Sequence, residues 1–436
     1  MTHPKPISET DLSLARQFDA LVDMLPGDPA ARRAAFATFE KTGLPTRRLE
    51  SWHYTDWARL TGAALPPLPA DASADVADAS YIADPLRNLT EINALSVNGA
   101  LTAHMPFPEG IEFMSFSDGM KAGNPLFDVV GTVFPDSTDP MVALNSAMYT
   151  DGLAARIGPG LKFPLPLQAI CVIGARKPGA LYMRGLLVVE AGAEVTIIDG
   201  LVGPEDVETQ ANTVTEIVVG EGAKVEYVTF NGVGGKTEVF TALGVHLGKN
   251  AMFNTLNFAL GGRASRHQVH VTAAGEGARL GIRGVSLLSG NQHGDCTLVV
   301  DHAAPDCESR ELFRTVLDGS ATGVFQGRIG VRQAAQRTDG QMASNAILLS
   351  DDAAMNNKPE LEIFADDVVC AHGATCGALD DDLLFYLQAR GLPRAEAEAL
   401  MVQAFCGEVL EHVSDENLRE RLNGIVANWL KARAGA

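Results

Sequence analysis

Apolar positions along this chain follow three rhythms in turn. In "DLSLARQFDALVDMLPG", Leu14, Phe18, Leu21, Val22 and Leu25 recur at the spacing of an amphipathic helix, and Pro26-Gly27 ends the pattern. "DPAARRAAFATFEKTGLP" predicts a second helix, with Pro29 near its start and Gly43 just past its end. The aromatic and basic run "LPTRRLESWHYTDWARL" follows. The Pro, Ala and Asp content of the next stretch, "LPPLPADASADVADAS", predicts a linker. Residues 1–94 thus read as an amino-terminal helical region and linker.

From 95 to 379 helical periodicity disappears, and short alternating runs bounded by Gly, Asn and Asp take over. These runs resemble one another: "EAGAEVTIIDG", "GEGAKVEYVTFNG", "GKNAMFNTLNFALGG", "GEGARLGIRGVSLLSG". Their starts at Gly192, Gly222, Asn250 and Gly277 are 30, 28 and 27 residues apart, and the next clear start, Gly319, lies 42 further on, which suits two shorter coils. A propeller blade needs about 40–45 residues, so the shorter repeat predicts a parallel β-helix with one or two strands per coil. A β-sandwich would lack such self-similarity.

From Asp380 to the end, residues 380–436, the helical pattern returns. "DDDLLFYLQARGLP" opens on acidic residues, which favour a helix amino terminus. In "RAEAEALMVQAFCGEVLEHV" one face gathers Leu400, Met401, Ala404, Phe405, Val409 and Val413. In the last helix Leu418, Leu422, Ile425 and Trp429 do the same. The expected fold is mainly β: a parallel β-helix core flanked by amino- and carboxy-terminal α-helical regions.

With 46% hydrophobic and 20% charged residues the 436-residue chain can bury a sizeable core. Its formal net charge of −20 repels phosphate backbones and anionic lipid, which argues against nucleic-acid and membrane partners. "MTHPKPISET" has no apolar secretory core, and no stretch reaches the ~20 apolar residues of a membrane span. Six scattered cysteines make no disulfide framework. Together these features predict a cytoplasmic protein.

Most of the candidate chemistry is weak. "GVGGKT" (232–237) lacks the first glycine of a phosphate loop, that position being Phe230, and no helix follows. His267 and His270, three apart on a strand, point to opposite faces. His293, Cys296, His302 and Cys307 match no standard zinc spacing. The aromatic "ESWHYTDW" (50–57) reads as a docking segment. In "DDVVCAHGATCG", however, Cys370 and His372 are two apart and share a strand face, with Cys376 also at an even offset unless Gly373 breaks the parity. Metal binding, redox chemistry and core packing all remain open for this pair. Without an acid/base pair, serine elbow or dinucleotide fingerprint, the residues point to a binding or scaffold protein rather than an enzyme.

Residues 357–392, "NKPELEIFADDVVCAHGATCGALDDDLLFYLQARGL", resemble the signature of the SufB/SufD family of iron–sulfur cluster assembly proteins. "VDHAAPDCESRELFRTVLDGSATGVFQGRIGVRQAAQRTDGQMASNAILLS" (300–350) and "GLPTRRLESWHYTDW" (43–57) resemble it as well. The absence of any cysteine before Cys171, and Gly373 after the histidine, set the chain apart from the cluster-scaffold SufB branch. The resemblance implies a right-handed β-helix in a complex with SufB and two copies of the ABC-type ATPase SufC. It implies that SufB pairs with the strand edge near the last coils, and that His372 holds a nascent cluster or its iron there together with a SufB cysteine, with Cys370 nearby. The carboxy-terminal helices, through Phe385, Tyr386, Leu387, Arg390, Phe405 and Glu408, would contact SufC. ATP-driven SufC dimerisation would move the SufB interface and expose buried ligands. The resemblance also implies a homodimer for the isolated chain, and roles in iron entry and in binding reduced flavin on the complex, for which the sequence marks no site. Against this stand two alternatives, a self-sufficient scaffold holding its own cluster and a β-helix enzyme acting on carbohydrate.

Overall fold

Each coil of the central body is made of two strands of about ten residues, one in each of two sheets. A computed structural model gives this architecture; it describes residues 8–70, 85–87, 89–91, 93–104, 106–136 and 139–434. Within each sheet, strands two apart in sequence pair in parallel and in register: Gly179–Val189, Thr209–Val219, Thr237–Leu247 and Ala264–Ala273 succeed one another this way. Each lumen-facing side chain therefore stacks on the equivalent residue of the next coil. The resulting column of Val, Ile, Leu and Phe is the driving force for the stack. The amino-terminal end is closed by antiparallel strands, Ala100–His104 on Asn93–Val97 and Ile111–Ser115 on Asp151–Ile157.

Left-handed corner residues set the repeat. Gly160, Gly192, Gly222, Asn250, Gly277, Asp306 and Arg337 all have positive φ. Each donates its N–H to the residue that precedes the next corner of the series, from Gly160 to the Ala191 carbonyl up to Arg337 to the Asp367 carbonyl. The 42-residue interval expected to hold two short coils is thus an ordinary coil followed by part of another. Gly319 belongs to a different corner, shared with Gly290, and the true successors of Gly277 are Asp306 and Arg337. Asp tolerates the left-handed region because its short side chain bonds locally. Arg337 is held there with its guanidinium clasping Asp306 through two bonds of 2.5 Å.

The stretch after residue 95 also contains helices that its pattern did not predict, Phe116–Lys121 and Pro140–Met148. The second starts at Pro140 behind the N-cap Asp139, and seven of its nine residues are buried. A helix enclosed on nearly all sides has no polar face, so no 3.6-residue rhythm marks it. The amino-terminal helices Glu9–Leu21 and Pro29–Glu40 pack with it on the outside of the nine-stranded sheet, around Trp52, Trp57, Phe134 and Phe240. Of the expected linker, Pro67 and Leu68 lie against Ala180, and residues 71–80 fall outside the described residues.

The helices Asp381–Ala389, Arg394–Leu410 and Glu416–Ala434 follow the last strand. The last two cover the outside of the ten-stranded sheet, where Leu418, Leu422 and Ile425 are buried as expected. The middle helix is rotated from its expected face. Ala397, Val402, Cys406, Val409 and Leu410 are buried, whereas Leu400 is 47% exposed, because this helix packs against both the sheet and the final helix.

Candidate functional site

Among the described residues the last coil has no successor. Its two strands, Ala354–Ile363 and Val368–Gly377, end the two sheets and pair on one side only. Their outer edges present unpaired backbone N–H and C=O groups, the arrangement that recruits another strand. Apolar side chains gather here: Phe364 is 68% and Val369 64% exposed.

Cys370, His372, Ala374 and Cys376 stand in register over Gly340, Met342, Ser344 and Ala346, all buried toward the lumen. The four therefore share the lumen-facing side, and the strand stays regular through Gly373. His372 is exposed, while Cys370 is half-buried and packs on the lumen core. Burial pushes the Cys370 thiol above its ordinary value, a backbone hydrogen bond from Gly340 opposes this, and the nearby Asp339 and Glu311 carboxylates add to it. Imidazole and thiolate are iron ligands. Yet among the described residues no group of three or more His, Cys, Asp or Glu side chains is arranged to hold a metal. Cys370 and His372 are thus two donors of iron-binding type on one open face.

Beneath Met342 in the same column lies Glu311, 2% exposed, with neither carboxylate oxygen in a hydrogen bond of normal geometry. Burial pushes it up to about 8, against the pull of the Ser309 hydroxyl and Arg310. No motif marks this acid.

The other candidates scatter. His267 faces the lumen with Nδ1 2.7 Å from Thr241 Oγ1, and His270 faces outward against Phe134, opposite as their spacing predicts. His293 meets Thr55 at 2.9 Å, Cys296 is buried beside His267, His302 bonds Ser309, and Cys307 donates to the Gly275 carbonyl, so these four form no cluster. "GVGGKT" spans the end of one strand, a turn and the start of the next, where Lys236 donates to the Asp206 carbonyl. "ESWHYTDW" docks on the nine-stranded sheet. The Trp52 indole lies 3.8 Å from the Arg266 guanidinium and donates to Asp139 at 2.7 Å.

On the carboxy-terminal face Leu383, Phe385 and Tyr386 are 53%, 73% and 53% exposed, Leu387 is half-buried, and Arg390 lies over the Tyr386 ring. Phe405 and Glu408, expected on the same face, are instead both engaged by Arg314 of the solenoid. Arg314, Asn345 and Thr375 form a ladder that motif reading missed; their separations of 31 and 30 residues, one coil each, are the signal that could have found it.

Over residues 172–405, more than half the chain, the sequence matches the family model described as "SUF system FeS cluster assembly, SufBD core domain", and over residues 26–169 the one described as "SufBD protein N-terminal region". It is 30% identical over 386 residues to the iron-sulfur cluster assembly protein SufD of Escherichia coli, covering 88% of each chain. It is also 30% identical over 401 residues to the SufBD family protein slr0076 of Synechocystis sp., covering 88% of this chain and 87% of that one. With protein ABCI7, chloroplastic, of Arabidopsis thaliana it shares 25% over 435 residues, 94% of this chain and 90% of the relative.

Proposed function

Because the chain belongs to the SufB/SufD family of iron–sulfur cluster assembly proteins and is SufD-like within it, we propose that it acts as a non-catalytic subunit of a SufB–SufC–SufD complex. The carrying observation is the open last coil. Cys370 and His372 face the lumen on a strand with one free edge, and the described residues hold no third ligand to join them. A SufB strand added at this edge would complete the sheet and bring the missing donors, so the cluster or its iron is a cargo shared between chains. The exposed Leu383, Phe385 and Tyr386, with Arg390, form an apolar patch suited to docking the SufC ATPase. SufC dimerisation on ATP would then move the helices and, through them, the shared edge. This work takes place in the cytoplasm; no helix among the described residues is long and apolar enough to cross a membrane.

Co-expression with SufB and SufC tests the reading. A stable three-protein complex is expected, and anaerobic reconstitution should give a lower cluster yield with His372→Ala than with the wild type. Failure to form the complex, or equal yields, would overturn it. A cluster held by the isolated chain and lost in His372→Ala and Cys370→Ala would favour the self-sufficient scaffold instead.

A further inference from the structure

Arg314, Asn345 and Thr375 stand in register on three successive coils, on the outer face of the sheet that ends in the open strand. The Arg314 guanidinium donates through Nε, at 3.2 Å, and through Nη2 to Glu408 of the helix Arg394–Leu410. Its Cζ lies 5.1 Å from the Phe405 ring centroid, and Nη1 donates to the side-chain Oδ1 of Asn345. Asn345 in turn donates from Nδ2 to Thr375 Oγ1 at 2.5 Å. The amide is thereby fixed at both ends, its oxygen toward the guanidinium and its nitrogen toward the hydroxyl. A continuous chain of hydrogen bonds thus runs from the carboxy-terminal helix to the terminal strand, ending three residues from His372.

The chain depends on the helix for the counter-charge of its cation. The Arg314 side chain is 11% exposed and has Glu408 as its carboxylate partner. If the helix carries Glu408 and Phe405 away, the cation is left with no counter-charge and no ring to cover it. It must then swing toward water, which strips Asn345 of its donor. The terminal strand, paired on one side only, lacks the second ladder that holds the strands behind it. We propose that Arg314 and Asn345 are positioning residues that couple the helix Arg394–Leu410 to the terminal strand, so that displacing the helix loosens the strand that carries Cys370 and His372. Its consequence for cluster assembly rests on the function proposed above, whereas the coupling belongs to the isolated chain and is tested without partners.

Hydrogen exchange of the full-length chain, read by mass spectrometry over residues 368–377, decides the matter. Glu408→Ala, which does not touch that strand, should speed its exchange about fivefold, the factor expected when one neutral hydrogen bond, Asn345 to Thr375, no longer restrains a local opening. Arg314→Lys keeps the charge but not the fork, and should match Asn345→Ala. The double variant Glu408→Ala/Asn345→Ala should exceed neither single variant, because both cut one chain. Arg394→Ala, which breaks the separate Arg394–Glu398 pair on the same helix, should leave the strand unchanged. Unaltered exchange in Glu408→Ala, additive effects, or faster exchange spread evenly over all coils would overturn the coupling. If Arg314→Lys does not fold, Glu408→Ala still carries the test, since the Glu408 side chain is 60% exposed.

Discussion

Arg184 and Glu216 form an ion pair across adjacent coils, 2.5 Å apart, with each side chain 1% exposed. Glu216 also accepts the backbone N–H groups of Gly131, at 2.9 Å, and of Val133 and Phe134, both at 3.2 Å. Arg184 donates to Asn145 and Ser146. The pair therefore pins the loop before the helix Pro140–Met148 to the outside of the sheet. Glu216→Gln is expected to lower stability by about 3–5 kcal/mol by leaving a buried guanidinium uncompensated. Replacing both partners with methionine is often neutral elsewhere, but here it leaves three backbone N–H groups without their acceptor, at about 1–3 kcal/mol for each that stays buried and unpaired. Urea midpoints should place the double variant well below the wild type; a full recovery would contradict this account.

Trp52 anchors the amino-terminal arm. It is fully buried, lies edge-on to Trp57, and covers Arg266, which donates to Asp295 and to the Ser51 carbonyl. Trp52→Ala should cost about 3–5 kcal/mol through cavity formation. Trp52→Phe keeps a ring over the guanidinium, and Asp139 retains its bonds from Gln268 and the Met141 N–H, so the loss should be about 1–2 kcal/mol. Limited proteolysis across residues 43–62 supplies the check. Release of the arm in the Ala variant but not the Phe variant is expected, and equal protection of both would count against the anchor.

The coil period was readable because Gly or Asn marks most corners, and it failed where Asp306 and Arg337 take that role. The shared face of Cys370 and His372 followed from parity, since the strand is regular to Gly377. That this face is open did not follow: "VVCAHGATCG" alternates like the strands before it, and exposure arises only because no further coil stacks on it. Arg314, Asn345 and Thr375 escaped motif reading for a similar reason, being neighbours only once the coils are aligned. Glu311 sits where the pattern demands an apolar residue, and only the absence of partners around it marks it out.

The open edge bears on self-association. An isolated chain with Phe364 and Val369 exposed beside unpaired strand edges should dimerise through this end as concentration rises. Val369→Lys points outward on the terminal strand and should shift the chain toward monomer without changing its thermal midpoint. Light scattering behind size exclusion is the measurement. A dimer that persists in Val369→Lys/Phe364→Lys would place the contact elsewhere.

Buried titratable groups make stability depend on pH. Burial pushes His267, His270 and His302 down to about 4 from 6.5, so the unfolded chain binds more protons than the folded one between these values. Stability therefore rises with pH over that window. Glu311, pushed up to about 8 from 4.5, acts in the opposite sense: the folded chain keeps a proton that the unfolded chain releases, so its contribution, complete below 4.5, is lost as pH climbs through 8. Burial also raises Asp136, Asp139 and Asp199, which act in the same sense as Glu311 and oppose the histidines below 6.5. Above 6.5 the histidines have finished and the acids act alone, so urea midpoints of the wild type should decline from pH 6.5 toward pH 8. Glu311→Gln keeps a neutral side chain of the same shape in the lumen, so the decline should be shallower and the variant should be the more stable at pH 8. A wild-type profile that stays level above pH 6.5, or a decline of unchanged slope in Glu311→Gln, would count against a protonated Glu311 in the folded chain.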